Sequence, residues 1–586
     1  MSKNKFKNKL KENIIIKYYS REKKLLFIFI FFNLVVTVLD LSAPLVVKNI
    51  IDKSIPSKNI HELTILIFFT LFLYGARTFF AVLTFSRGQL MGNRIKYHMR
   101  NDLFSHFLKQ SRDFFNKKDS GELISRITGD LESSSALLYR GLQDLLASGG
   151  SLMGGFVLMF LYSPLLACIT FAPFPLGLVF VYTKNKKMKA GYREIRRKNS
   201  SLTVVIHEML RVILFLKDNL LENTAYKKFL AANDNLLNSE KANFLNVGIF
   251  MSGVTFYVHL TQLILIGAGG VLYIHGKISI GIIVSFLLLV DRFKVSLIKL
   301  AGLTDTYQKG TAGIKRLKDM LNTDCTLPEG DKNIGGKFES LRFENVGFYY
   351  EKNISVLKNI NFEIRRGEKI AVVGRSGAGK TTLMNLIKRN YLAGTGNIFI
   401  NNINYKDTNH KNILSLMGII EQKENILNDT VYNNIAVVKE NASEKEVILA
   451  AEKACIHEMI NSLPEKYNTI LGSGGTFLST GQYQRIALAR IFLKNPEIII
   501  LDEAMSGLDN TSENIILKNI ETSFKNKTVI AVTHRLSAVK TFDRIIVLGK
   551  EGIAEEGNYE ELMKREGEFF HIQKGMELNS TPVNSV

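Results

Sequence analysis

Six long apolar runs constrain this chain more than any other feature: residues 25–47, 63–85, 146–162, 165–182, 247–274 and 280 to about 300. A helical membrane span needs about 20 mostly apolar residues, and these runs meet or approach that length. Lipid offers no hydrogen bonds, so a backbone that crosses it must satisfy its own N–H and C=O groups, and runs of this kind select helices. The links between them alternate. Residues 52–62 are short and polar, 86–145 long, Ser163-Pro164 a tight turn, 184–246 long, and His275-Gly276-Lys277 short.

The 586 residues carry a net charge of +22, which admits either nucleic acid or an anionic membrane as partner. Its distribution decides. Lys3, Lys5, Lys7, Lys9 and Lys11, and the basic segment 184–198, flank apolar runs, as on the cytoplasmic side of a membrane protein. The reading is therefore membrane lipid and no nucleic acid. The N-terminus and both long links are assigned to the cytoplasm, and an even number of spans puts the C-terminal part there too. Cys168, Cys325 and Cys455 are scattered, with neither a disulfide framework nor metal-ligand spacing. The first run is too long for a cleavable signal peptide and lacks a small-residue cleavage site.

The long links keep a helical pattern, so they read as helices continuing into the cytosol. Two places interrupt them: Phe114-Phe115-Asn116 with Ser120-Gly121-Glu122, and 219–226. Aromatics at such a break mark an interface. Charges inside the spans are expensive and face a bundle interior or a hydrated cavity. Arg77, Asp291 and Arg292 are expected to line a translocation path, whereas Asp40 reads as a residue near headgroup level.

The second half has globular composition. A short apolar strand, 369–373, runs into Gly374-Arg375-Ser376-Gly377-Ala378-Gly379-Lys380-Thr381, followed by helix formers from Thr382. In this G-x-x-x-x-G-K-T loop the glycines let the backbone wrap phosphate, the lysine reaches the β- and γ-phosphates, and the Thr381 hydroxyl ligates magnesium. Further on, Leu478-Ser479-Thr480-Gly481-Gln482 is a small-residue turn that opens a helix and offers N–H groups to an anion. Asn495-Pro496 ends that helix. The buried strand 498–501 then delivers Asp502 and Glu503 to its C-terminal end, the edge where open α/β sheets bind ligands. Asp502 is the magnesium-holding carboxylate of a Walker-B strand, and Glu503 the group that polarises an attacking water.

These stretches, in this order, resemble the ATP-binding cassette (ABC) transporter family, and the layout of six spans before one nucleotide domain resembles its half-size exporters. The resemblance implies an α-helical membrane domain with long cytosolic extensions joined to an α/β P-loop NTPase domain. It divides the chain into a basic N-terminus 1–24, membrane domain 25–321, linker 322–336, nucleotide-binding domain 337–575 and tail 576–586. Val346-Gly347-Phe348-Tyr349-Tyr350 is similar to the A-loop, whose aromatic stacks on adenine. Alternation alone does not choose between Tyr349 and Tyr350, and the family spacing points to Tyr350. Ile420-Glu421-Gln422 resembles the Q-loop, which implies that Gln422 senses the γ-phosphate and its magnesium and meets the coupling helices. Asp509 closes a D-loop-like Ser506-Gly507-Leu508-Asp509, and His534 matches the switch histidine. The segment from Phe114 to Arg126 resembles the first coupling region.

The same resemblance implies an ATPase using ATP and Mg2+. It implies a dimer in which Ser479, Gly481 and Gln482 of one half face the other half's ATP. The location implied is the plasma membrane, the inner membrane in a bacterium, with nucleotide domain and termini cytoplasmic. The cargo class is an amphipathic molecule: a bacteriocin-like peptide, a drug or a lipid. An ATP-gated channel or regulator without cargo is the alternative. Two departures stand out. Thr480 replaces the usual signature glycine, and 471–475 lacks the family's Glu and Arg. Threonine has none of glycine's freedom at positive φ. A weakened site shared with a different partner chain is therefore expected alongside the homodimer.

Overall fold

The computed structural model describes residues 14–323, 330–351, 354–421, 426–472, 475, 478–502, 510–532, 539–550 and 552–580. The chain forms two compact units. One comprises Met1–Lys109 and Lys118–Thr323, the other Gln110–Lys117 and Asp324–Val586.

In the first unit five helices are long and apolar enough to cross a membrane by length and composition: Lys23–Ser54, Ile60–Phe107, Ser120–Tyr162, Pro164–Arg211 and Glu222–Ile274. A sixth, Ile280–Leu321, spans 42 residues, and Asp291, Arg292 and Lys294 interrupt its apolar stretch. The 48 residues of Ile60–Phe107 extend about 72 Å at 1.5 Å per residue, against roughly 30 Å of hydrocarbon, so the polar links are these helices continued. Ser163 is extended (φ −156°, ψ 95°) and Pro164 starts the next helix, giving the tight turn read from the sequence. Gly276, at φ +68°, turns the chain after Ile274.

The start of the sixth helix is held by the first. Ser279 Oγ donates to Asp52 Oδ2 at 2.5 Å, and the Gly281 N–H donates to Asp52 Oδ1 at 2.8 Å. A carboxylate there also complements the positive end of the helix dipole. Farther along, Arg316 bonds Asp130 through two nitrogens, Nε at 2.7 Å and Nη2 at 2.5 Å, while Arg126 Nη1 donates to the same carboxylate at 2.8 Å. Gly313 permits this approach: a Cβ on it would stand 2.6 Å from the Asp130 carbonyl oxygen and 2.5 Å from Ser134 Oγ. A small residue at a helix crossing serves this purpose by letting the backbones approach.

Both expected helix breaks occur. The short helix Arg112–Lys117 separates Phe107 from Ser120. The second break opens earlier than the sequence suggested, at Val212 (φ −109°, ψ 20°), and runs through Ile213–Asp218 to Leu220 at φ +54°. No Gly or Pro marks Val212, so the local sequence carries no stop signal there.

The second unit is built on a six-stranded sheet and a four-stranded antiparallel sheet. The four-stranded sheet contains β1 (Ser340–Glu351), β2 (Ile354–Arg365), β4 (Thr395–Ile400) and β5 (Ile403–Asn404), in the order β2-β1-β4-β5. The larger sheet contains β3 (Lys369–Gly374), β6 (Met417–Ile420), β7 (Ile498–Asp502), β8 (Thr528–Val532), β9 (Arg544–Gly549) and β10 (Gly552–Gly557), in the order β10-β9-β3-β8-β7-β6. Strands β9, β3, β8, β7 and β6 pair in parallel and β10 is an antiparallel edge. Their unbroken apolar runs, such as Ile498-Ile499-Ile500-Leu501, suit strands buried on both faces.

Gly313→Val is expected to lower the thermal midpoint of the purified protein, in line with about 1–3 kcal/mol of overpacking strain. Gly302→Val on the same helix, where a Cβ meets nothing within 4 Å, is the comparison that leaves the midpoint in place. Equal midpoints for the two would contradict the packing described.

Candidate nucleotide site

Strand β3 is buried from Ile370 to Gly374 and ends where a side chain has no room: a Cβ on Gly374 would stand 2.6 Å from the Leu548 carbonyl oxygen. Gly377 and Gly379 adopt φ +84° and +93°, values that L side chains rarely take, and the chain then enters helix Lys380–Ile387. The first N–H groups of that helix have no intrahelical acceptor, so loop and helix start together form an anion-binding concavity. Lys380 Nζ lies across the loop, donating to the carbonyl oxygens of Gly374 (2.6 Å) and Arg375 (3.0 Å). Ser376 and Thr381 are exposed, Ala378 is half-buried and Thr382 is buried.

The sheet order puts β8 between β3 and β7, and Asp502 pairs in register with Val532. Asp502 therefore ends at the same sheet edge, two strands or about 10 Å from the loop. A hydroxyl and a carboxylate are hard oxygen donors of the kind magnesium takes. Among the described residues no group of three His, Cys, Asp or Glu could form a protein cage, so a cation here would draw its remaining ligands from phosphate and water. Gln422, Glu503, Asp509 and His534 lie outside the described residues.

The adjacent tyrosines sit at a bulge and face different neighbours. The β1–β2 register shifts between Phe348 and Tyr349, so strict alternation does not apply. Tyr350 lies over the loop helix, with its hydroxyl 3.2 Å from Thr382 Oγ1. The Tyr349 ring lies instead against Gly394, where an added Cβ would be 2.8 Å away.

Helix Thr480–Lys494 starts with a reciprocal capping box: Ser479 Oγ accepts from the Gln482 N–H, and Gln482 Oε1 accepts from the Ser479 N–H at 2.8 Å. Ser479 and Thr480 are exposed and Gly481 is buried. Thr480 is the first helical residue and is absent from the positive-φ positions. The strain expected of threonine there does not arise, because a helix start asks for negative φ.

The segment Gln110–Lys117 belongs to this unit, with Phe114 buried and Phe115 exposed at its surface. Arg112 Nη1 and Lys388 Nζ each donate to Glu421 Oε1 at 2.8 Å. Lys388 caps the C-terminus of the loop helix, and its side chain is only 4% exposed. Burial pushes the Glu421 carboxyl up, but hydrogen bonds from Arg112 and Lys388 outweigh it and hold the group below its ordinary value. Asn116 Nδ2 donates to the Tyr391 hydroxyl at 3.0 Å. The sequence named Glu421 only as a neighbour of Gln422. Asn116 was read as part of an interface without its partner, and Arg112, Lys388 and Tyr391 were not singled out, because partners 309 and 275 positions apart leave no local pattern.

In the first unit, Asp40 is a bridge between helices. Its Oδ1 accepts from Arg77 Nε at 3.1 Å and meets Arg292 Nη1 at 2.5 Å, joining the first, second and sixth helices. Asp291 points to the exposed side of its helix and is not part of this cluster.

A glycine-cradled phosphate loop, an acidic strand end and a bundle of membrane-length helices define a multi-pass membrane protein with a P-loop nucleotide domain. Comparison with known proteins identifies which. Residues 26–293 match the ABC transporter transmembrane region and residues 357–506 match the ABC transporter domain. The ATP-dependent lipid A-core flippase of Syntrophus aciditrophicus (strain SB) is 34% identical over 83% of this chain and 81% of its own. An ABC transporter ATP-binding protein of Bacillus subtilis (strain 168) is 29% identical over 95% of this chain and 97% of its own. A bacterial Atm1-family ABC exporter solved with ATP bound shares the fold, with a TM-score of 0.81 at 23% identity over 96% of this chain and 99% of that one. The chain belongs to the ABC transporter family. It is an ATP-driven exporter that carries one membrane region and one ATP-binding domain.

Glu421 is expected to report on its two cations. Because its folded-state pKa is depressed, its contribution is present above the unfolded carboxylate pKa of about 4.3 and is lost as pH falls through the folded value. Glu421→Gln should thus lower the thermal midpoint at pH 7, and the gap to the parent should shrink as pH drops below about 4.3. A gap independent of pH would contradict the ion pairing.

Proposed function

We propose that the loop Gly374–Thr382 and Asp502 hold Mg-ATP, and that a dimer of this chain uses its hydrolysis to move an amphipathic cargo out of the cytoplasm. The observation that carries the reading is the pairing of positive-φ glycines at a helix start with an acidic strand end on the same sheet edge. Lys380, already aimed across the loop, supplies charge to the β- and γ-phosphates, and Thr381 with Asp502 holds the magnesium. When bound, the cation neutralises charge that develops on the transferred phosphoryl group. Tyr350 stacks on the adenine. Gln422 orients the γ-phosphate side of the site, Glu503 polarises the attacking water, and His534 contacts the γ-phosphate. Ser479, Gly481, Gln482 and Asp509 complete the partner's site.

The nucleotide domain and both termini lie in the cytoplasm of the cell membrane, as the basic flanks indicate. Apolar helices carrying an Arg77–Asp40–Arg292 cluster suit a cargo with both charged and apolar parts. The relative named as a lipid A-core flippase favours a lipid-like amphiphile within that class. An unstrained Thr480 argues for a second copy of this chain as the partner, since nothing in the signature's backbone is impaired.

Glu503→Gln is expected to keep ATP binding and lose steady-state hydrolysis by two or more orders of magnitude. Phosphate release at the parent rate would sink the assignment of the base. The dimer is tested separately. The purified chain alone should hydrolyse ATP cooperatively, whereas activity that appears only on adding a different half-transporter would establish a heterodimer.

A further inference from the structure

Within the second unit, the segment Gln110–Lys117 is held at two chemically different points. One is ionic, Arg112 on Glu421, which Lys388 ties to the end of the phosphate-loop helix. The other is aromatic. The Tyr391 ring meets the Tyr350 ring edge-on, with centroids 5.4 Å apart and planes at 90°, and its hydroxyl accepts from Asn116. Tyr391 also packs on Phe348 at 5.3 Å, so a strand and a segment over 200 positions away converge on one ring. Edge-to-face pairs have a preferred geometry, so a ring that changes tilt disturbs its neighbour.

There is room for such a change. A cavity of about 200 Å³ lies among Ser111, Asp113, Lys117, Tyr349, Tyr350 and Tyr391. The space opens to the surface beside Tyr350, which is 48% exposed, so its ring is not held by a close-packed interior. Tyr350 is tied on its other side to Thr382, the residue after the magnesium-binding hydroxyl. A base stacking on Tyr350 would fix that ring, and the ring bears directly on Tyr391.

We propose that Tyr391 is a positioning residue that reports a nucleobase on Tyr350 to the segment Gln110–Lys117 through its hydrogen bond with Asn116. This rests on reading Tyr350 as the adenine platform. The consequence is that the segment responds to the base as well as to the phosphates. Triphosphate alone engages the Lys388–Glu421–Arg112 path and leaves the Tyr391 path idle.

The test uses the full-length protein in lipid nanodiscs, in the Glu503→Gln background so that nucleotide persists. Backbone hydrogen exchange is followed over residues 110–117 with no ligand, with Mg-ATP and with Mg-tripolyphosphate, and exchange over 369–373 monitors folding. Mg-ATP should alter exchange in the segment severalfold more than tripolyphosphate at saturation. Tyr391→Phe, which keeps the ring, should hold ATP affinity within about twofold and remove most of that base-dependent difference. Asn116→Ala should do the same, and the double variant should add nothing, as expected of two residues on one path. A Tyr391→Phe protein that keeps the full difference, or tripolyphosphate that equals ATP in the parent, overturns the proposal. Tyr350→Ala separates the two readings. If it leaves ATP affinity unchanged, the adenine platform is wrong. If it weakens ATP while Tyr391→Phe is silent, the platform stands and the relay falls.

Discussion

A backbone in hydrocarbon has no solvent to bond with, and most of the first unit follows from that. Each span must be helical, and the cheapest continuation of a hydrogen-bonded helix is more helix, so Ile60–Phe107 and Glu222–Ile274 run for 48 and 53 residues. Rods of this length pack through apolar clusters such as Met159, Leu166, Val258 and Phe286, and small and charged residues fix them further. Glycines allow backbones to touch, as at Gly313. Carboxylates placed between helices then supply direction: Asp52 receives the start of the sixth helix, Asp130 takes Arg316 and Arg126, and Asp40 takes Arg77 and Arg292. These ion pairs are partly exposed, Arg77 by 45% and Arg316 by 41%, so each is a weak source of stability and acts mainly through its geometry. Such pairs specify how the helices align more than they strengthen the bundle.

The nucleotide domain obeys a different constraint. Five parallel strands buried on both faces leave their C-terminal edge as the place where loops can be functional. Gly374, Asp502 and Val532 all end there, and the phosphate loop, the acidic strand end and the strand leading to His534 follow from one topology. The glycines at 377 and 379 are needed because the turn from strand to helix passes through positive φ. Lys380 bridges the loop through the carbonyl oxygens of Gly374 and Arg375.

Much of this was legible in the sequence because it rests on local signals. Apolar run length located five helices able to span by length and composition, the Ser163-Pro164 turn and the loop at 374–381 were read directly, and the break at Arg112–Lys117 carried polar and aromatic markers. What was not legible depended on contacts across the chain. Asp40 showed no partner in the sequence, because Arg77 and Arg292 reach it from two other helices. Tyr349 and Tyr350 were ambiguous because a β-bulge, which no local pattern announces, shifts the register on either side of Tyr349. Thr480 looked costly because the family's glycine suggested a positive φ, yet a capping box at Ser479 places position 480 inside a helix, where threonine is acceptable. The break at Val212 carried no breaker residue at all.

The two holds on Gln110–Lys117 differ in what they can sense. Glu421 sits between a buried lysine at the end of the phosphate-loop helix and an arginine of the segment. Any motion of that helix changes the field at the carboxylate, and such a contact follows charge and distance. The Tyr391 contact is short-ranged, oriented and uncharged, so it follows the angle of the neighbouring ring. A segment attached only through Glu421 would answer to any polyphosphate that fills the loop. One attached through both answers fully only when charge and base arrive together, which is what distinguishes a nucleoside triphosphate from the smaller phosphates around it.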